Sequence, residues 1–140
     1  MVDVATKHTP SIVGLHHARI PVTDVLRSHD WYVNVFGFEP CLMLEEEDVV
    51  TGVVLQHDTG LTVVLVEAPA QAAALRGFCA VAFCVGERGD LTRWCARLDE
   101  MGIAHSDERD GHFGWFVQVP DVDGIVLELH TFGFPTAEEA

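Results

Sequence analysis

One order of elements occurs twice along this 140-residue chain, and it limits the available folds more than any other feature. Leu15 to Val22 is a strand candidate, and Asp24 follows it where a helix should be capped. Val25, Ser28, Tyr32, Val35 and Phe36 then fall on one helical face, and Gly37 ends the helix, since glycine takes the left-handed conformation at little cost. Three strands follow, at Pro40 to Leu44, Val49 to Gln56 and Leu61 to Glu67. The acidic run Glu45-Glu46-Glu47-Asp48 is the first turn, a solvated loop, and His57-Asp58-Thr59-Gly60 is a tight second one. Ala68 to Arg76 reads as a linker, and the order starts again. Gly77 to Val85 is a strand, and Asp90 caps a helix with Leu91, Trp94, Cys95, Leu98 and Met101 on one face, closed by Gly102. Strands are expected around Ala104, at Trp115 to Val119 and at Ile125 to His130, the last two joined by the turn Pro120 to Gly124.

A repeat of about 65 residues is too long for most solenoids. The expected class is α+β: two tandem βαβββ modules, at 14–68 and 77–132, forming a curved mixed sheet. Each helix would cover the convex face and leave a concave ligand cavity. Residues 14–132 make one domain, 1–13 an N-terminal tail or added edge strand, and 133–140 a C-terminal tail.

Composition narrows the partners. No apolar run is long enough to cross a bilayer, and Met1 to Pro10 carries Asp3, Lys7 and His8 rather than the apolar stretch of a secretory signal. A cytoplasmic location is expected. The formal net charge of −14 argues against nucleic acid, whose phosphates need basic residues. It suits a cationic ligand, although solubility alone would account for it. Cys41, Cys79, Cys84 and Cys95 form no CxxC pair, and buried free thiols in a reducing compartment are expected.

Two motifs carry a resemblance. His17-Ala18-Arg19-Ile20-Pro21-Val22-Thr23-Asp24, continuing through Arg27-Ser28 and Trp31-Tyr32 to Phe36-Gly37-Phe38, resembles the opening of the vicinal oxygen chelate superfamily. This group unites glyoxalase I, bleomycin-resistance proteins and extradiol dioxygenases. Asp121-Val122-Asp123-Gly124-Ile125-Val126-Leu127-Glu128-Leu129 resembles its closing turn and Glu-bearing last strand, with Val122 where proline is usual. The resemblance spans about residue 14 to 132.

It implies a divalent ion (Zn, Fe, Mn or Ni) held on the concave face, with His17 at the first-strand ligand position and Glu128 at the last-strand one. Ala80 and Val64 fall where further ligands are usual, so the metal set is incomplete. His130 lies two residues beyond Glu128, hence on the same strand face, and is a candidate third ligand or general base. Neighbouring His16 should point away from His17, toward the core or the convex face. Arg19, Val64, Ala80, Trp115 and Phe113 are the candidate ligand-binding residues, and of Trp115 and Phe116 strand alternation allows only one in the cavity. Trp31 and Trp94 are expected in the core, and Phe132 and Phe134 at a sheet edge.

Two function classes remain open. One is a binding protein similar to the bleomycin-resistance branch, which would sequester a drug-like or cationic aromatic molecule without chemistry. The other is a metal-dependent lyase, isomerase, thiol transferase or dioxygenase acting on vicinal oxygens, with Glu128 and His130 catalytic. Whether the chain is an enzyme stays open at this point. The resemblance also implies a homodimer in which His17 of one subunit meets Glu128 of the other; composition argues against a membrane or nucleic acid as partner.

Overall fold

The computed structural model describes residues 9–132, so most of the expected N-terminal tail, the whole C-terminal tail and Phe134 lie outside it. The first module runs β1 (Ala18–Val22), α1 (Val25–Phe36), β2 (Glu39–Glu46), β3 (Val49–Gln56) and β4 (Thr62–Glu67). A short helix, α2 (Pro69–Ala74), leads to β5 (Cys79–Cys84), α3 (Arg88–Met101), β6 (Arg109–Gly111), β7 (Gly114–Pro120) and β8 (Val126–His130).

The eight strands make two four-stranded mixed sheets, ordered β1-β4-β3-β2 (sheet A) and β5-β8-β7-β6 (sheet B), rather than one continuous sheet. In each, the module's first strand lies parallel to its last and the other pairs are antiparallel. The βαβββ duplication read from the sequence is therefore the architecture of the chain.

Helix ends follow their local chemistry. Asp24 caps α1 by accepting the Arg27 N–H at 3.2 Å. Gly37 and Gly102 close α1 and α3 in the left-handed region, at φ 77° and 70°. Asp90 is not the cap of α3 but its third residue, where its carboxylate accepts the Glu87 N–H at 3.0 Å. The expected linker contains α2, whose Pro69 stands in the first turn and whose Ala residues favour helix. The expected strand at Ala104 is absent, and the sixth strand lies further on, at Arg109–Gly111. The β2–β3 turn is shorter than expected: Glu47 and Asp48 alone make it, both at positive φ, while Glu45 and Glu46 belong to β2.

Alternate strand residues turn inward. Ile20, Val22, Val53, Leu55, Val63 and Leu65 from sheet A and Val117, Val119, Leu127 and Leu129 from sheet B enter one shared core with Tyr32, Phe36, Leu91 and Leu98 from the helices. Trp31 and Trp94 pack against it, as expected. Fully burying an aliphatic side chain contributes about 1.5–3 kcal/mol, so this core is the main force holding the modules together. Polar links add to it. Tyr32 donates its hydroxyl to Asp121 at 2.7 Å, Arg27 pairs with Asp123 at 3.2 Å, and Arg97 donates to the Asn34 and Val35 carbonyls at the end of α1. No helix among the described residues is long and apolar enough to cross a membrane.

One contact gives the fold a pH dependence. His105 donates Nε2–H to Asp99 at 2.6 Å and Nδ1–H to the Ser106 carbonyl at 2.7 Å, a pairing that only the doubly protonated ring can make. The Asp99 hydrogen bond, with the Ser106 carbonyl and the Asp99 and Asp107 charges, raises the ring's pKa against the opposing effect of burial. A raised folded-state pKa means that this stabilisation is complete below the ordinary histidine value and is lost as pH rises through the raised one. Urea titrations across pH 5.5–8.5 should show stability falling with pH more steeply in the natural chain than in His105→Gln.

Candidate functional site

Strand alternation that sends one set of residues into the core sends the other to the open face of each sheet. On sheet B that face carries Glu128 and His130 from β8, Gln118 and Phe116 from β7, and Ala82 and Cys84 from β5. Register joins them: Ala82 and Gln118 lie opposite Glu128, while Cys84 and Phe116 lie opposite His130. Two adjoining open grooves run over this face. One of about 520 Å³ is lined by Asp110, His112, Phe113, Phe116, Glu128 and His130. The other, about 240 Å³, shares Phe113, Glu128 and His130 and adds Cys84 and Phe132. Their sizes fall near the range of small-molecule sites.

Glu128 is half-buried and held firmly. Its Oε2 accepts from the Gln118 amide at 3.1 Å and from the Cys79 thiol at 3.4 Å. Cys79 reaches it because β5 has a bulge between Cys79 and Val81. Burial, then the hydrogen bond to Glu128 and its charge, push the Cys79 thiol up to about 11, so it stays protonated and serves as a donor. The bulge also displaces Ala80, which packs against the core, and Ala82 takes the level of Glu128.

His130 stacks on Phe116 with ring centroids 5.6 Å apart and an interplanar angle of 11°. Its Nδ1 lies 3.0 Å from the Thr131 carbonyl, which can only accept, so Nδ1 carries the proton. In the neutral ring Nε2 is then a bare acceptor. Gly111 makes room for the stack: a Cβ there would come within 2.9 Å of the Phe116 ring.

The sequence-based site residues thus divide. Glu128, His130 and Phe113 share the sheet B grooves. Trp115 does not; it faces the other way, packs against the core and lies under the Arg88 guanidinium, 3.4 Å from the ring centroid. Phe116 holds the place that the sequence left open between the two. His17, Arg19 and Val64 lie on the open side of sheet A. Arg19 pairs in register with Val64, which is buried outside the shared core, and lines a separate groove of about 480 Å³ with Pro21, Val66, Ala68, Leu75 and others. Arg19 donates Nε–H to His17 Nε2 at 3.2 Å, and His17 Nδ1 lies 2.8 Å from His16 Nδ1. His16 is exposed beside His17 rather than in the core, because β1 begins only at Ala18.

Sequence reasoning missed Cys79 and Gln118. Gln118 was accessible from alternation once Glu128 and β7 were placed; Cys79 was not, because a bulge breaks the period. The cysteines also differ from expectation: all four are free, but Cys41 and Cys84 are exposed and Cys79 and Cys95 half-buried.

Among the described residues no three His, Cys, Asp or Glu side chains are grouped to hold a metal ion. In one chain Glu128 and His130 supply two donors, and the Nε2 lone pair of His17 is occupied by Arg19. A first-row ion is normally held by three protein ligands or more. The residues present therefore do not fit a complete metal site.

Residues 14–129 match the Glyoxalase/Bleomycin resistance protein/Dioxygenase superfamily. The chain belongs to that superfamily. No curated protein matches it. Solved structures share its fold. A glyoxylase/bleomycin resistance protein/dioxygenase domain from Frankia sp. EAN1pec superposes with TM-score 0.72 at 24% identity, over 92% of this chain and 98% of that one. TnmS3, an antibiotic binding protein from Streptomyces sp. CB03234, gives 0.73 at 23% identity, over 89% and 100%. The fosfomycin resistance protein FosX from Listeria monocytogenes, in complex with Mn(II) and sulfate, gives 0.69 at 21% identity, over 92% and 95%.

Proposed function

We propose that this superfamily member is a small-molecule-binding protein that sequesters a drug-like, cationic aromatic ligand on the open face of sheet B. The observation that carries the reading is Glu128, a carboxylate fixed by two donors in a groove walled by Phe113, Phe116 and His130. A flat cation gains there from both the carboxylate and the ring faces. The net charge of −14 raises the local concentration of cations. Sequestration needs affinity alone, and the incomplete metal set is no obstacle to it. The fold is shared with an antibiotic binding protein.

The working form is a homodimer in the cytoplasm, in which the His17 and Arg19 face of one protomer lies against the partner's Glu128 face. Opposite charge on the two faces supports this pairing. Equilibrium dialysis against acridine orange, a flat aromatic cation, tests the reading. The expected result is one dye retained per protomer, and little by Glu128→Gln; equal retention by both proteins would overturn it.

A second reading is a divalent-metal-dependent enzyme acting on a substrate with vicinal oxygens. It is favoured by His130, whose fixed tautomer leaves Nε2 bare on the same face as Glu128. The missing donor would be the partner's His17, once its Nε2 is released from the Arg19 hydrogen bond. Metal analysis of protein purified without chelator decides it: a stoichiometric ion, lost in Glu128→Ala, establishes this reading in place of the first.

A further inference from the structure

On the open face of sheet B, Glu128 and His130 each present an acceptor that no described donor uses. Glu128 uses Oε2 for both of its hydrogen bonds and leaves Oε1 without a donor among the described residues. In its neutral form His130 gives its N–H to the Thr131 carbonyl and leaves Nε2 as a lone pair. Neither atom is buried and unsatisfied, so both reach the surface of this face. Both residues line both grooves. Two residues apart on one strand, they stand about 7 Å from each other along one face. The Phe116 ring, parallel to the imidazole to within 11°, forms a wall beside them.

Resting on the binding reading above, we propose that this face selects its ligand by hydrogen-bond donors as well as by charge. The ligand is a flat nitrogenous cation with N–H groups along one edge, of the amino-heteroaromatic or amidine type. Glu128 Oε1 takes a charge-assisted hydrogen bond from one N–H, and His130 Nε2 accepts a second. A quaternary or fully N-alkylated cation of the same shape satisfies the charge and leaves the His130 acceptor stripped of water and unpaired. Cys79 and Gln118 are positioning residues: by saturating Oε2 they turn the free oxygen of Glu128 to the groove.

Two dyes carry the same charge and the same ring N–H and differ in their exocyclic donors. Proflavine and acridine orange are the same flat cation, but proflavine carries two exocyclic NH2 groups and acridine orange carries dimethylamino groups in their place. Dissociation constants for the full chain are measured by equilibrium dialysis. Proflavine is expected to bind at least about tenfold more tightly, although it is the less lipophilic dye. His130→Phe keeps an aromatic ring and removes the acceptor, and should bring the two constants to within about twofold. Equal affinities in the natural chain, or a preference that survives His130→Phe, would overturn the donor rule while leaving the binding reading intact. Failure of both dyes to bind overturns both. Stoichiometric binding of Zn²⁺ alone, abolished by His130→Phe, would also overturn the rule, because the two acceptors would then be metal ligands.

Discussion

Asp121→Ala should remove about 3–5 kcal/mol of stability, the larger of the two principal effects expected, because it strips the acceptor from three donors at once. Asp121 is only 6% exposed. Its Oδ2 accepts the Tyr32 hydroxyl at 2.7 Å, and its Oδ1 accepts the Asp123 and Ile125 N–H groups at 2.9 and 3.0 Å. The first of these bonds crosses between the modules and the other two shape the turn that leads into β8. Burial raises the Asp121 pKa, with the three hydrogen bonds opposing that effect, and it pushes the Tyr32 hydroxyl well above its ordinary value. The loss is a large part of the 5–15 kcal/mol by which a typical domain is stable. Urea denaturation of the natural chain, Asp121→Ala, Tyr32→Phe and the double variant measures it. Tyr32→Phe alone should cost about 1–2 kcal/mol, since Asp121 keeps its backbone donors. A non-additive double variant would show that the two side chains act on each other. A loss below about 1 kcal/mol for Asp121→Ala would contradict the account.

Gly114→Ala is the second large effect, with about 2–4 kcal/mol expected from two causes. Gly114 has φ 124°, a conformation that residues with a side chain rarely adopt. An added Cβ would also lie 2.5 Å from Thr131 Oγ1 and 3.2 Å from the Thr131 carbonyl oxygen. Thr131 cannot simply move, because its hydroxyl accepts the Trp115 N–H at 3.0 Å and its own N–H donates to the Trp115 carbonyl at 2.9 Å. The same Thr131 carbonyl fixes the His130 tautomer. The substitution should therefore lower both the melting temperature and dye affinity. Gly60→Ala is the control, since that position also has positive φ, at 92°, but meets nothing within 4 Å. It should cost the backbone strain alone and leave affinity unchanged. Equal losses for the two would mean that the Thr131 clash is unimportant.

The sequence specifies the elements because their signals are local. Asp24 and Gly37 bound α1 through the chemistry of a helix end, and Gly102 does the same for α3. The opening and closing motifs mark the ends of a duplicated unit, and in the folded chain they meet, through Tyr32 with Asp121 and Arg27 with Asp123. That Glu128 and His130 share a face follows from a period of two within one strand. The short α2 lies in the stretch read as a linker, because a helix of six residues is too short to give a periodic signal.

The composition of the site around Glu128 was decided by tertiary structure. Alternation showed that Trp115 and Phe116 oppose each other, but pairing of β7 with β8 determined that Phe116 stacks on His130 and that Trp115 lies under Arg88. Cys79 reaches Glu128 only through a bulge in β5, which no periodic reading anticipates. Arg19, with His17 bonded to it, lies on the other sheet of the chain and lines another groove, which the sequence did not show. The physical reason is the same in each case. A strand's own residues fix which side each faces, but register and bulges fix what lies across from them. A shift of one residue would turn every side chain to the other face. Only the packed sheets, with their shared core on one side, select the register that puts an acidic and aromatic face on the other.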